Sequence, residues 1–168
     1  MRPAYCHGSY KPYKGLCYKV VPASSYSDGQ ERRKTNHLRA LNYCANEGAS
    51  LAYPESIDEL VHLATLIREE GAWDSTERNV LIGLNKRSGD WTAGGVYSPD
   101  SEVIGLAESV STKYWMRYLT VRTDNTITLT PAPLFTNNGV SVHYAICQLY
   151  GLTDPIVILA TIQQWPRM

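Results

Sequence analysis

At 168 residues, 43% of them hydrophobic and 19% charged, the chain suffices for one domain of ordinary size with a sizeable buried core. Lys+Arg and Asp+Glu both number 16, so the formal charge is zero, which argues against nucleic-acid binding by bulk electrostatics and against a polybasic membrane anchor. Twelve Tyr and four Trp against one Phe favour amphipathic aromatics, suited to surfaces that bind and stay wet.

Residues 1–26 are rich in Tyr, Lys, Gly and Pro and carry Cys6 and Cys17, which reads as a stapled hairpin; Ser27-Asp28-Gly29 is a turn signal. A first helix is predicted over Asn36 to Glu47, with Thr35 as its cap and Gly48 as the left-handed residue past its end. Leu38, Leu41, Cys44 and Ala45 follow helical spacing, which puts Cys44 on the buried face. A second helix opens on the capping box Ser56-Ile57-Asp58-Glu59, carries the stripe Ile57, Leu60, Val61, Ala64 and Ile67, and ends at Gly71. Val80-Leu81-Ile82-Gly83-Leu84 is a short apolar run expected to be a buried strand. Residues 85–125 hold many Gly, Ser, Thr and Asp residues and read mostly as a long loop anchored by Trp91 and Trp115. Thr126 to Thr130 and Val140 to Cys147 alternate as strands do, with Val142 and Tyr144 on one face and His143 on the other. A hairpin, two helices, then strands with a long excursion is an α+β order.

The four cysteines are Cys6, Cys17, Cys44 and Cys147, and no CxxC or HxxxH spacing accompanies them. Two disulfides in an oxidising compartment is therefore preferred to a zinc site or to buried thiols, which points to a secreted or extracellular protein. The start Met1-Arg2-Pro3-Ala4-Tyr5 has no apolar core of a signal sequence, so a signal is expected to have been removed, or the chain to be a piece of something larger. The longest apolar stretch, Ile156 to Ala160, falls far short of the ~20 residues of a membrane-spanning helix. No GxSxG, HExxH or P-loop pattern occurs, so no enzyme, cofactor or metal is expected.

Candidate ligand-binding residues come from composition. Trp115-Met116-Arg117-Tyr118 with Arg122 groups the residue types that dominate binding hot spots. The segment reads either as a protein-binding surface in the long loop or as a core Trp115 with ordinary loop around it. Asn137-Asn138-Gly139 is a hairpin turn first and a polar contact site second.

Four segments, taken together, resemble a C-type lectin-like domain over roughly residues 3–150. They are Cys44 to Leu51 with its Gly48-Ala49 step, Leu81-Ile82-Gly83-Leu84, Trp91 with Gly94-Gly95, and Tyr144-Ala145-Ile146-Cys147-Gln148. The resemblance implies two helices, small antiparallel sheets and a long loop region within residues 1–150. It also implies an amino-terminal disulfide hairpin, with pairs Cys6–Cys17 and Cys44–Cys147. The departures concern function. Leu81 stands where the family has Trp, and the second cysteine pair of the long-loop half is missing as a unit. The Glu-Pro-Asn or Gln-Pro-Asp and Trp-Asn-Asp triplets of the calcium-dependent sugar site are absent. Ser98-Pro99-Asp100 imitates half a triplet but precedes Trp115, and Asp124 is the only carboxylate from Trp115 to Cys147, whereas calcium takes six to eight oxygens. The expectation is a non-enzymatic extracellular recognition module that binds a protein partner without calcium. A structural subunit of an extracellular assembly is the alternative, and a glycan-binding lectin with a metal-independent site is the third reading. The extension 151–168 contains the uncharged, strand-prone Pro155 to Ala160, expected to pack on its own domain or on a partner subunit.

Overall fold

The structure, a computed structural model, describes residues 5–26, 36–73, 75–87, 89–94, 98–109, 116–132 and 142–150. Strands β1 (Lys11–Tyr13) and β2 (Leu16–Pro22) form the amino-terminal hairpin. Its two turn residues, Lys14 and Gly15, both have positive φ, 47° and 82°, the geometry whose twist matches that of the strands it joins. A single 3-10 turn at Ala23–Ser25 follows. The remaining elements are α1 (Asn36–Asn46), β3 (Ser50–Leu51), α2 (Ile57–Arg68), β4 (Glu77–Arg87), β5 (Asp90–Ala93), α3 (Ser101–Glu108), β6 (Met116–Arg122), β7 (Ile127–Ala132) and β8 (Tyr144–Tyr150).

Among the described residues the strands form one sheet in the order β1-β2-β8-β4-β6-β7, with β3 beside β8 and β5 beside β4. All pairings are antiparallel except β4 with β8, which is parallel through Val80↔Tyr144 and Leu81↔Ala145. The expected small antiparallel sheets are thus one mixed sheet, because the last strand enters its middle, between β2 and β4. Alternation along the strands gives the sheet two apolar faces. Tyr18, Val80, Ile82, Leu119, Val121, Leu129 and Ile146 pack with Leu60, Leu63 and Ile67 of α2 and with Val103 and Ala107 of α3. Cys17, Val21, Leu81, Tyr118, Ala145 and Cys147 pack with Ala40 and Cys44 of α1.

Among the described residues there are three helices, where the sequence led to an expectation of two. α3 lies inside the stretch read as loop; it is eight residues long, carries Gly105 in its interior and buries only Val103 and Ala107 fully, so it is too short for the helical period to show. β6 lies in the same stretch. It runs through the middle of the sheet, paired with β4 and β7, and is buried on both faces from Met116 to Val121. α2 begins where the capping box puts it: Ser56 accepts a hydrogen bond from the Glu59 amide at 3.2 Å, and the Glu59 carboxylate accepts one from the Glu55 amide at 2.6 Å. Its buried face holds Leu63 and Leu66 as well as Leu60, Ala64 and Ile67, whereas Val61 is exposed. On α1 the stripe is displaced: Ala40 and Cys44 face the sheet, and Leu38 and Leu41 are 40% and 39% exposed. Both cystines are the pairs the family resemblance implied, with Cα separations of 5.6 Å for Cys6–Cys17 and 5.4 Å for Cys44–Cys147.

Candidate functional site

Of the sequence-derived candidates, Arg117, Tyr118 and Arg122 fall among the described residues, and these three do not form one exposed surface. Arg117 and Tyr118 belong to β6, not to a loop, and both side chains are buried, Arg117 fully. Arg122 ends β6 half-exposed, and its Nε lies 3.3 Å from the Glu77 carboxylate on the neighbouring strand. Trp115, Asn137 and Asn138 lie outside the described residues, as do Pro155 to Ala160.

Arg117 has a different task. Its Nε donates to the Ala107 carbonyl at the end of α3 at 2.8 Å, and Nη1 donates to the Met116 carbonyl at 3.1 Å. The guanidinium stacks on Trp91 of β5 at 4.6 Å, and Trp91 Nε1 donates to the Glu108 carboxylate at 3.0 Å. Burial pushes the Arg117 pKa down, and the nearby Glu108 charge opposes that shift. One cation, one indole and one carboxylate thereby tie α3, β5 and β6 together, with the Arg held by backbone carbonyls and by the ring face.

No group of three or more His, Cys, Asp and Glu side chains among the described residues could hold a metal ion. Two acids of the loop half sit at turns. Asp100 is the residue before α3, and its amide donates to the Glu55 carbonyl at 2.7 Å. Asp124 sits in the β6–β7 turn and accepts hydrogen bonds from the amide and hydroxyl of Thr126 at 3.0 and 2.6 Å, which lowers its pKa.

The site that composition did not single out is a cleft of about 260 Å³ where β2, the end of α2, β4 and the start of β8 meet. Its walls are Pro22, Ala23, Ser24, Ala72, Arg78, His143 and Tyr144. Arg78 is 3% exposed. Its Nη1 donates to the carbonyls of Ile67, at 2.8 Å, and Glu70, and its Nη2 to those of Gly71 and Ala72 at 3.3 and 3.1 Å. It thus caps α2, whose last carbonyls have no helical partner and carry the negative end of the dipole. The planar group lies between Trp73 and Tyr144, 4.1 and 5.3 Å from their ring centres. His143 is fixed just as firmly. Its backbone amide donates to the Asn79 carbonyl at 3.0 Å, its carbonyl accepts from the Ala23 amide at 3.0 Å, and its Nδ1 accepts from the Asn79 amide at 3.1 Å. A ring that accepts at Nδ1 carries its proton on Nε2. The one sequence signal for this site is Trp73 placed five residues before Arg78; nothing local brings His143 to them, because the β4–β8 pairing does so across the chain.

No protein-family model matches the chain, and no curated protein sequence does. Solved structures do match in fold. SPL-1 in complex with GlcNAc superposes with a TM-score of 0.58 at 14% identity, over 86% of this chain and 94% of that one. The cow C-type carbohydrate-recognition domain of CD23, in the presence of a GlcNAc2Man3 oligosaccharide, gives 0.55 at 14% identity over 89% and 98%. The mouse scavenger receptor C-type lectin carbohydrate-recognition domain gives 0.50 at 11% identity over 89% and 100%. The chain therefore has a fold that resembles the C-type lectin-like domain.

Proposed function

We propose that this chain is a non-enzymatic extracellular recognition module that binds a protein partner without calcium. The observation that carries the reading is Arg117. The centre of the loop half is organised by a covalently attached cation, held by carbonyls of α3 and β6 and stacked on Trp91. A divalent cation placed nearby would be repelled by it and would find the Glu108 carboxylate already accepting from Trp91. Two cystines support an extracellular setting, and no helix among the described residues is long and apolar enough to cross a membrane. The test is a binding screen of the full chain against secreted ectodomains and a glycan array, each in calcium and in EDTA. Protein binding that is unchanged by EDTA supports the reading. Calcium-dependent retention on a sugar column overturns it, and glycan binding that survives EDTA favours a metal-independent lectin, in line with the sugars named for SPL-1 and the CD23 domain.

A second reading, a structural subunit of an extracellular assembly, is favoured by one feature. Leu38 and Leu41, with Ala45 one turn on, leave an apolar stripe of α1 exposed among the described residues. Sedimentation over a range of concentrations separates the two readings, since a monomer at all concentrations removes the second.

A further inference from the structure

We infer that the cleft between β2, β4 and β8 is a carboxylate-binding notch, which takes an acidic side chain or a chain-terminal carboxylate of the protein partner; this rests on the recognition reading above. Three observations converge. First, the guanidinium of Arg78 is buried in the cleft wall without a carboxylate partner among the described residues; four carbonyls and two aromatic faces hold it. Carbonyl dipoles orient a cation and soften the cost of burying it, but they leave its full charge in place, and that charge attracts an anion in a site partly shielded from water. Second, none of the seven described lining residues is acidic, and His143, Ser24 and Tyr144 are able to donate, while Arg78, whose Nη hydrogens go to the four carbonyls, contributes its charge. The His143 donor is pre-set, because the Asn79 amide at Nδ1 keeps the proton on Nε2. A cleft with donors and no acid among the described residues selects an acceptor-only ligand, and an ionised carboxylate is one. Third, about 260 Å³ lies just under the usual size of a small-molecule pocket, ~300 Å³ and above. It suits one side chain or one chain end, presented by a larger partner.

The test uses the full-length oxidised chain, isotope-labelled, and four probes: N-acetylglutamate α-amide, its neutral glutamine counterpart, N-acetylglycine and inorganic phosphate. Saturable shifts of the amides of residues 23–24 and 143–144 are expected with at least one of the two carboxylate probes, with a Kd of about 1–10 mM. Which of the two binds tighter says whether a side chain or a chain end is preferred. The glutamine counterpart is expected to give no saturation. Ser24→Ala, which removes only a surface hydroxyl, and His143→Gln, which keeps a side-chain acceptor near the Asn79 amide, should each weaken binding at least about threefold. The inference is overturned if neither carboxylate saturates by about ten times that Kd, if the neutral probe binds equally, if phosphate binds tighter than both carboxylates, or if both substitutions are silent. A failed titration alongside an EDTA-insensitive protein partner removes the notch and leaves the recognition reading standing.

Discussion

Removing each cystine separately should cost very different amounts, and the difference follows from chain separation. Cys44 and Cys147 are 103 residues apart, and Cys6 and Cys17 are 11 apart. If a cross-link acts by restricting the unfolded chain, the loop-closure expression gives about 4.7 kcal/mol for the first bridge and about 2.8 kcal/mol for the second at 25 °C. The gap between the two is about 2 kcal/mol. The native state works in the same direction. Cys44 and Cys147 are both fully buried between α1 and β8, so a Cys→Ala pair there also leaves a small void, whereas Cys6 is only partly buried. The assay is urea unfolding of Cys44→Ala/Cys147→Ala and of Cys6→Ala/Cys17→Ala against the parent. The long-range pair should lose at least about 4 kcal/mol and show a larger m-value, since its unfolded chain is free to expand. At about 2–4 °C per kcal/mol for a domain of this size, its melting point should fall by roughly 8–16 °C. Equal losses, or a larger loss for the short pair, would refute the reasoning and place the effect of these bridges in native-state strain or packing.

Ser56→Ala should cost about 1 kcal/mol by removing the acceptor for the Glu59 amide at the start of α2, read as a shift of the urea midpoint with unchanged m. Gly94→Ala should cost more, about 1–3 kcal/mol: φ is +67° there, and an added Cβ would stand 3.0 Å from the Tyr53 ring. Gly48→Ala, with φ of +75° and open space around it, separates the backbone contribution from the steric one. Stability should also fall as pH drops below about 6.5. Burial lowers the pKa of His37 and of His62, so the unfolded chain takes up protons first and the folded state loses ground through that window. The raised pKa of Glu55 acts with the opposite sign but in the lower carboxylate range. Urea midpoints at pH 7.5 and 5.5 check this, and His37→Gln with His62→Gln should flatten the difference; a midpoint higher at pH 5.5 in the parent would contradict it.

Sequence made the local signals readable and left the long-range ones hidden. The capping box at Ser56 and Glu59 announced α2 because both partners lie within one turn, and the end of α1 was legible from Gly48, whose φ is +75°. Which face α1 buries did not. The residues that meet the sheet are the small Ala40 and the half-cystine Cys44, which allow close approach, and the larger Leu38 and Leu41 turn aside. β6 was misread for a related reason. A central strand buried on both faces shows no alternation, and its Arg117 and Thr120 look like surface residues until Trp91, the Ala107 carbonyl and Asn79 are seen around them. The Arg78 cleft has contributors from residues 22 to 144, and no window of sequence holds them together.

The pairing of β2 with β8 also decides how the domain answers to a mechanical load. Leu16 lies opposite Tyr150 and Pro22 opposite Tyr144, so the two strands enter and leave the sheet at the same end. A pull applied there separates their hydrogen bonds one after another, as a zipper opens, instead of shearing them together. The cystines limit how far that opening runs. Cys17, opposite Leu149, is tied to Cys6, so tension from the amino-terminal side reaches β2 without unravelling β1. Cys147, opposite Lys19, is tied to Cys44, so peeling of β8 stops there and the load passes into α1. While that bond is intact the segment from Cys44 to Cys147 is shielded from tension, and a reducing agent should lengthen the extension released in a single-molecule pull.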